Sequence, residues 1–592
     1  MDEETVTAAY VAQEHKYMSH KYDVIVIGSG VAGALCAWKL SQLGNYRILI
    51  LEAGDNAITR AQRIIFQNNM DAQGNRGDMF APYNNLESRI FAPAPENSQL
   101  ELEDQRGKPG VPPKELYYDY GNDTKHAFKA GYNRMVGGST WSWRGNCPRF
   151  LPSDFKLKSL FGVGRDWPLD YNELEPWYCD AEWELGVSGN HKELDGLFGA
   201  YRSREFPMPG IPLTYSDEQI KKKIDGADVL GTKVRVVTTP QARNSKFFDG
   251  RPACEGESNC IPLCPIQAKY DATNHLRRLA QNPEIELRTA AVVTKIEQQA
   301  GRATEVHYID WKAKPAKAHS VRASTVVLAA HAIETPKILR MSSNLANSSD
   351  QVGRNLMDHV QFELIASFPE PLYPFRGTQS VTGLEDFRDG DFRKERSGFR
   401  MTIGNDGWGR TGAPANVIDR LLKQGTFGSA LPGAIQDQIT RMVRLSFSTE
   451  MLAEFDNRVD LSPNKDALGI PRPRFNFDIG TYVEKALRRG MEVSTELFKI
   501  MGAEIPPPPL PKPLDNAVTK RMNWNTAAHI MGTCIMGDDP TDSVVNRWGR
   551  AHDLENLWIV GSSVFPTSAT SNPTVTLAAL ALRSAAAIDR KM

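Results

Sequence analysis

Three cysteines lie close together in the middle of the chain. Cys254, Cys260 and Cys264 are spaced CxxxxxC and CxxxC, and Pro265 follows at once. Thiolates this close can hold an iron–sulfur cluster, and bacterial cluster motifs also end in Cys-Pro. A zinc site usually has CxxC knuckles and four N or S ligands, whereas residues 251–270 hold no His and no fourth Cys. A disulfide would leave one cysteine odd, so the spacing favours a cluster, with zinc and a disulfide left open.

A glycine-rich turn near the start of the chain follows a short apolar strand. Tyr22–Ile27 is rich in β-branched residues, as buried parallel strands are, and runs directly into the sequence GSGVAG. In a βαβ unit the first glycine makes the turn, the second lets backbone approach a diphosphate, and the third allows close packing of helix on strand. We therefore expect Gly28, Gly30 and Gly33 to line a dinucleotide diphosphate.

The residues after this turn complete the same unit. The spacing predicts a helix from about Val31 to Leu43 and a second strand over Arg47–Leu51 that ends in Glu52. An acidic residue about 20 positions past the last glycine is where such units hold a ribose hydroxyl. A lone GxGxxG is often only a flexible loop, but strand, helix, strand and acid in register are specific. Glu52 is therefore predicted to contact ribose, and the helix N-terminus to offer amide donors to the diphosphate.

Later segments add to this unit. Residues 131–141 form a glycine-rich stretch with small hydroxyl side chains that could lie flat against a cofactor, although an ordinary surface loop has the same composition. Four of its residues are expected to contact that cofactor: Gly137, Gly138, Ser139 and Thr140. Ser324–Ala330 is predicted to be a buried strand followed by a helix, and Leu557–Pro566, which contains Gly561, a strand that enters a loop.

Length, composition and charge predict the number of domains and exclude some classes of partner. The 592 residues, 41% of them hydrophobic, exceed what one core organises, so two domains are expected. The formal net charge of −1 offers no field to attract nucleic acid, and none is expected as a partner. Residues 1–22 are polar, without an apolar h-region or a twin arginine, so we expect no signal peptide there. The sequence has no run of about 18 apolar residues, so membrane contact is expected only through partners.

Together these motifs resemble the glucose–methanol–choline (GMC) oxidoreductase family over nearly the whole length. Three segments are most similar to catalytic large subunits of bacterial membrane-linked glucose, fructose and sorbitol dehydrogenases: Gly162–Trp167, Gly250–Arg251 and Val352–His359. Those relatives carry FAD and a [3Fe-4S] cluster, and the cysteine trio lies at the cluster position. The resemblance also implies a small subunit that brings an export signal and a cytochrome c that accepts electrons. It places the protein on the periplasmic side of the inner membrane through these partners, with the cytoplasm as the alternative.

The resemblance assigns a catalytic pair, His529 and Asn572. Oxidation of an alcohol by hydride transfer to flavin needs a base for the hydroxyl proton, and neutral imidazole is well matched near pH 7. His529 is expected to take that proton and Asn572 to orient the alcohol oxygen. A hydrogen-bonded core position is nevertheless the commoner fate of one His among 11. His331 and His359 are expected to be structural.

Further cofactor contacts follow from the same likeness. Val293 matches the family's adenine-side backbone contact, although its stretch could be plain sheet core. If Pro573 and Thr574 begin the last helix, its positive end can face the flavin and stabilise the charge of the reduced ring. Three residues depart from the pattern of the related sugar dehydrogenases, so the substrate can differ from free glucose or fructose: Ser142, Arg144 and Val360.

The fold class expected is α/β, with a Rossmann-like FAD-binding domain and a substrate domain built from a mixed or antiparallel sheet and helices. The motif order assigns residues 22–157, 235–360 and 515–592 to the FAD-binding domain, which carries the Cys254–Cys264 segment. Residues 158–234 and 361–514 are assigned to the substrate-binding domain, and residues 506–513, rich in proline, to a stiff connector.

The function expected is oxidation of a CH–OH group of a sugar, glycoside or polyol. Electrons would then pass from FAD through the cluster to a cytochrome c or a similar acceptor. An oxygen-using GMC oxidase and a non-catalytic electron-transfer protein are the alternatives.

Overall fold

The computed structural model describes residues 22–55, 57, 117–120, 128, 130–256, 260–261, 263–405, 413–505 and 524–592, without the side chains of 413–416. The proline-rich connector predicted at 506–513 and the domain boundary predicted at 514/515 lie outside these residues.

The strands of the described residues are β1 (Tyr22–Ile27), β2 (Ile48–Leu51), β3 (Asp119–Tyr120), β4 (Ser188–Gly189), β5 (Met208–Pro209), β6 (Asp228–Val229), β7 (Thr232–Lys233), β8 (Val236–Thr238), β9 (Ile285–Arg288), β10 (Ala291–Gln299), β11 (Arg302–Asp310), β12 (Lys317–Val321), β13 (Ala323–Leu328), β14 (Val360–Ser367), β15 (Thr382–Leu384), β16 (Phe399–Gly404), β17 (Met442–Thr449), β18 (Arg458–Lys465), β19 (Pro471–Asn476), β20 (Asn525–Thr526) and β21 (Leu557–Ile559). The α-helices are α1 (Val31–Leu43), α2 (Leu157–Phe161), α3 (Tyr171–Leu185), α4 (His191–Leu194), α5 (Tyr215–Ile224), α6 (Thr273–Leu279), α7 (His331–Met341), α8 (Ala413–Lys423), α9 (Ala430–Arg441), α10 (Gly480–Met501) and α11 (Thr574–Asp589).

A five-stranded parallel sheet brings together distant parts of the chain in the order β21-β13-β1-β2-β9. Val26 of β1 lies opposite Val327 of β13 on one side and Ile50 of β2 on the other. Every residue of β2 and five of the six in β1 are buried, as expected where both faces of a parallel sheet are covered. The predicted first strand, first helix and second strand are confirmed, the last one residue shorter than predicted. The predicted α/β fold class is confirmed as well.

The turn between β1 and α1 is as tight as its glycines allow. Gly28 has φ +104°, a left-handed conformation that favours glycine. A Cβ on Gly33 would lie 2.0 Å from the Gly28 carbonyl oxygen, so only glycine lets α1 pack this close to the turn. The start of α1 is thereby held at the carboxyl end of β1, where ligands of parallel sheets bind.

The second large sheet is entirely antiparallel, in the order β20-β14-β17-β16-β15-β8. Its apolar face packs on α10, where Gly490 leaves room for the ring of Phe447 in β17. β8, which the predicted boundary at residue 235 assigns to the cofactor domain, pairs with β15 and extends this sheet. A short apolar strand such as β8 does not reveal from its sequence which sheet edge it will join.

Smaller sheets complete the fold. β10, β11 and β12 form an antiparallel sheet, and β18 and β19 form an antiparallel pair that β3 joins in parallel. Among the described helices, none is both long and apolar enough to cross a membrane.

Candidate active site

A cavity of about 320 Å³ lies where the parallel sheet, the antiparallel sheet and the N-termini of α1 and α11 meet. Twelve of the predicted site residues line it: Gly28, Gly30, Glu52, Gly138, Ser139, Thr140, Val293, His529, Gly561, Asn572, Pro573 and Thr574. Gly33 and Gly137 are outside the described lining, because Gly33 serves helix packing and Gly137, at φ +91°, makes the turn next to Trp141. Segments far apart in sequence therefore share one cavity.

The N-terminus of α1 is shaped to receive an anionic group. Gly30 is the N-cap, and a Cβ placed on it would meet no protein atom within 4 Å, so this side of the turn is open. The first turn of α1, all of it described, holds no acidic residue. Its unpaired amides and positive dipole end suit a diphosphate, and the open space at Gly30 fits the close backbone approach that FAD requires.

Glu52 is held at the end of β2 by hydrogen bonds. One of its carboxylate oxygens accepts from the Ser29 amide and hydroxyl at 3.0 and 2.6 Å, and the other accepts from the Gly54 amide at 2.8 Å. Burial raises the pKa of this carboxyl above its ordinary value, and the three hydrogen bonds act against that rise. The carboxylate therefore has a fixed orientation at the cavity wall, where the sequence predicts a ribose contact.

The 137–140 turn packs directly on the N-terminus of α1. A Cβ on Gly138 would lie 3.1 Å from the Cα of Gly30. The Ser139 hydroxyl accepts from the Asn133 amide at 3.0 Å, and the Thr140 hydroxyl donates to the Gly137 carbonyl at 2.6 Å. This turn forms one wall of the cavity beside the diphosphate position.

The last helix presents a second positive end to the cavity. Pro573 is the N-cap of α11, and the first intrahelical bond runs from the Leu577 amide to the Pro573 carbonyl at 2.9 Å. The described first turn of α11 contains no acidic residue. The last helix predicted to begin at Pro573 and Thr574 is confirmed, with its first residue at Thr574, and the amides of residues 574–576 have no partner within the helix.

His529 is enclosed by polar groups on several sides. Its Nε2 lies 3.0 Å from the Asn572 Nδ2, and its Nδ1 lies 2.8 Å from the His359 Nδ1. The backbone amide of His529 donates to Asp358 Oδ1 at 2.9 Å. His359 in turn places its Nε2 3.1 Å from the Ser568 carbonyl oxygen and 3.0 Å from that of Ala569. The predicted pair is thus brought into contact, together with a histidine that the sequence analysis treated as structural.

Burial dominates the protonation of this group. It holds the pKa of His529 well below its ordinary value, with His359 adding to the effect, and lowers the pKa of His359 to about 4. It also raises the pKa of Asp358 to about 8, against several hydrogen bonds that lower it. Both imidazoles are therefore neutral at pH 7, and a neutral imidazole can accept a proton.

One face of the antiparallel sheet supplies polar side chains that the sequence analysis missed. Gln361 of β14, Ser448 of β17 and Arg400 of β16 are cross-strand neighbours, and Thr402 and Ser446 form the next row. All five line the cavity. The signal was present as alternation of polar and apolar residues along these three strands, the period of a sheet with one polar face.

Arg400 is fixed within that face. Its Nε donates to Glu385 at 2.6 Å, its Nη2 to the Thr239 hydroxyl at 2.7 Å, and its Nη1 to the Thr402 hydroxyl at 3.1 Å. Bound hydroxyl groups would find a rigid array of donors and acceptors here.

The cavity is also lined by two residues that depart from the related sugar dehydrogenases and by a histidine that was expected to be structural. Ser142 and Arg144, which depart from the sugar dehydrogenase pattern, both line the cavity. His331 also lines it, with φ +68°, and its ring stacks on Tyr132 at 4.5 Å between centroids. Beside them Glu334 accepts from the Tyr132 hydroxyl.

The three cysteines share one neighbourhood, since the charges of Cys254 and Cys260 both act on the Cys264 thiol. The Cys260 Sγ accepts from Arg243 at 3.2 Å, and the Lys269 ammonium donates to the Cys260 carbonyl at 2.6 Å. Burial raises the pKa of the Cys264 thiol, and the charges of Cys260 and Cys254 raise it further. Within the described residues, which omit 257–259 and 262, no three His, Cys, Asp or Glu side chains form a metal-binding group. None of the seven cysteines forms a disulfide, which leaves that sequence alternative without support.

The donor types suit an iron–sulfur cluster, although the described side chains do not form a metal-binding group. Three soft thiol donors lie together, and two buried cations, Arg243 and Lys269, stand beside them to offset the charge of ligating thiolates. Ile261, next to Cys260, lines the cavity, so the cysteine segment adjoins the cavity directly.

Comparison with known proteins agrees with this architecture. Two family models described as GMC oxidoreductase match residues 212–361 and 453–581, and a model of an NAD(P)-binding Rossmann-like domain matches residues 26–76. The fructose dehydrogenase large subunit of Gluconobacter japonicus is 35% identical, over 96% of this chain and 97% of that protein. The 2-methyl-1,2-propanediol dehydrogenase of Mycolicibacterium austroafricanum is 28% identical, over 96% and 95%.

A solved structure shares the fold. Pyridoxine 4-oxidase from Mesorbium loti superposes with a TM-score of 0.61 at 18% identity, covering 95% of this chain and 98% of that one. The near-complete coverage of the fructose dehydrogenase relative, the matched family models and the dinucleotide cavity lead to one conclusion. The chain belongs to the GMC oxidoreductase family and is an FAD-dependent oxidoreductase.

Proposed function

We propose that this chain is the catalytic subunit of a dehydrogenase that oxidises a CH–OH group of a sugar, glycoside or polyol. The observation that carries the proposal is the neutral His529, in contact with Asn572, at the wall of a cavity that also exposes Gln361, Ser448 and Arg400. A base beside an array of hydroxyl-binding groups suits a polyhydroxylated alcohol.

The chain's own residues divide the work. Bound FAD supplies the two-electron acceptor for the carbinol hydride. The substrate hydroxyl replaces the Asn572 amide, which lies 3.0 Å from the Nε2 of His529, as the partner of that nitrogen; His529 then takes the hydroxyl proton on Nε2, and the released amide orients the alcohol oxygen. Because burial holds the pKa of His529 well below its ordinary value, the imidazole is unprotonated at neutral pH and available as the base. The N-terminus of α11 offers positive potential beside the site.

We propose further that Cys254, Cys260 and Cys264 hold a [3Fe-4S] cluster. Such a cluster, when bound, supplies a one-electron outlet. Support comes from the donor set, from the cations Arg243 and Lys269, and from Ile261 at the cavity wall. A cytochrome c acceptor, a small subunit with an export signal and a periplasmic location belong to the same proposal. The fructose dehydrogenase relative is itself named a large subunit.

The test is anaerobic flavin reduction by the FAD-loaded full chain across a panel of sugars, glycosides and polyols. Fructose and 2-methyl-1,2-propanediol are included because relatives are named for them. We expect at least one polyhydroxylated compound to bleach the flavin. Silence across the panel would overturn the substrate class, and rapid reoxidation by oxygen in a preparation without iron would favour an oxidase.

A further inference from the structure

His359 lies behind His529, fully buried, and its outer nitrogen faces only acceptors. The Nε2 of His359 is 3.1 and 3.0 Å from the carbonyl oxygens of Ser568 and Ala569. A carbonyl oxygen accepts hydrogen bonds and cannot donate one, so this Nε2 must carry a proton. A neutral imidazole has one N–H, which leaves the Nδ1 of His359 as an acceptor.

That assignment fixes the proton on the next ring. The Nδ1 of His529 lies 2.8 Å from the Nδ1 of His359, and one of the two must donate. Because His359 accepts, His529 donates. Neutral His529 therefore carries its proton on Nδ1 and a lone pair on Nε2.

The cavity side gives the same answer independently. The Asn572 Nδ2 lies 3.0 Å from the Nε2 of His529, and an amide NH₂ is only a donor. The Nε2 of His529 must then be an acceptor. Two ends of the network, anchored by different elements, agree on one tautomer.

We propose that His359 is a positioning residue that fixes His529 in the Nδ1–H tautomer, so that the basic Nε2 faces the substrate hydroxyl. Its catalytic consequence rests on the proposed function of His529. An Asp in this place would also fix the tautomer, but its charge would stabilise the imidazolium; a neutral His orients the base without doing so. The other ionisable groups that face the pair are Asp358, bonded to the His529 amide, and Asp154 and Arg388 near His359.

The tautomer can be measured without substrate, by ¹⁵N NMR of the histidine-labelled, FAD-loaded full chain, with His529 assigned by its loss in His529→Ala. We expect His529 to show a protonated Nδ1 and an unprotonated Nε2. A proton on Nε2 in the unsubstituted protein would overturn the proposal, whatever any variant does.

Two substitutions separate positioning from structure. In His359→Asn the Oδ1 can accept from His529 and the Nδ2 can donate to the carbonyls, so the tautomer and most of the flavin-reduction rate should remain. In His359→Leu the acceptor is lost, and we expect a mixed or Nε2–H tautomer with flavin reduction slowed by about 10-fold or more. Equal loss in both variants, with the tautomer unchanged in both, would mean that His359 is only structural. If His529→Ala leaves flavin reduction intact, the base assignment fails while the NMR result still decides the tautomer.

Discussion

The histidine centre (His359, His529 and Asn572) and the cysteine segment (Cys254–Cys264) both adjoin the cavity, but the chain completes only the first. In the histidine centre the ring and amide nitrogens lie within about 3 Å of their partners. In the cysteine segment the three thiols are close enough for their charges to interact, but within the described part of the chain they form no metal-binding group. The members of the histidine centre (the finished site below) bond each other directly, whereas those of the cysteine segment (the unfinished site) do not, although both sites are expected to serve one reaction.

The difference follows from the chemistry of the groups. Neutral imidazoles and amides are donors and acceptors for one another, so folding alone brings them to bonding distance. Thiols have little attraction for each other, and as thiolates they repel. A metal ion or cluster supplies the attraction that closes such a site, so its ligands are completed by binding. The geometry of side chains that hydrogen-bond each other can be read from the protein alone. Side chains that share a metal must be tested with the metal bound.

The largest expected effect tests the finished site. His529→Ala should slow anaerobic flavin reduction by about 10²- to 10⁴-fold, the range for loss of a general base, with FAD content unchanged. His552→Ala is the matched control, because His552 bonds the Ser543 hydroxyl at 2.9 Å away from the cavity. Stopped-flow absorbance of the flavin measures both. An unchanged rate in His529→Ala would make the histidine centre a structural network.

The next test addresses the unfinished site. Cys260→Ala should lose most of its iron and sulfide while keeping FAD and the rate of flavin reduction by substrate, because ligation and proton transfer use different residues. Reduction of a one-electron acceptor should fall by about 10-fold or more. Cys179→Ala, which removes a buried thiol bonded to Glu175, serves as control. Iron analysis of anaerobically purified protein decides the point: equal iron in both variants removes Cys260 as a ligand.

A third test concerns the glycine turn, which is finished as backbone but open toward its ligand. Gly30→Ala adds a methyl group where no protein atom lies within 4 Å, so the apoprotein should melt normally. FAD binding should weaken by about 5- to 150-fold, because the methyl occupies cofactor space and such overpacking costs about 1–3 kcal/mol. Gly33→Ala should do the reverse, since its Cβ would lie 2.0 Å from the Gly28 oxygen and destabilise the apoprotein. Thermal unfolding and FAD titration distinguish the two; matching behaviour of the variants would contradict this division.

Individual strands and helices were predictable from the sequence, whereas the contacts between segments distant in the sequence were not. β1, α1 and the start of α11 were predictable because their signals, a β-branched run, spaced glycines and Asn-Pro, are local in sequence. The contact of His359 with His529 could not be predicted, since 170 residues separate them and it is the pairing of β14 with β20 and the bridge between Met357 and Met531 that bring their segments together. Likewise the strand alternation that places Gln361 and Ser448 on one face says nothing of which cavity that face will line.

The smallest expected effect tests whether the polar sheet face belongs with the finished site. Ser448 lies between Gln361 and Arg400 in register, so its hydroxyl can bond a substrate without any rearrangement of the sheet. Ser448→Ala should raise the substrate concentration for half-maximal flavin reduction by about 2- to 10-fold, the range for one hydrogen bond, and change the limiting rate little. Ser494→Ala, whose hydroxyl bonds the Gly490 carbonyl within α10, is the control for loss of a buried serine. If the limiting rate falls instead and the half-maximal concentration is unchanged, Ser448 acts on the chemical step. The polar sheet face would then contribute to catalysis together with the histidine centre.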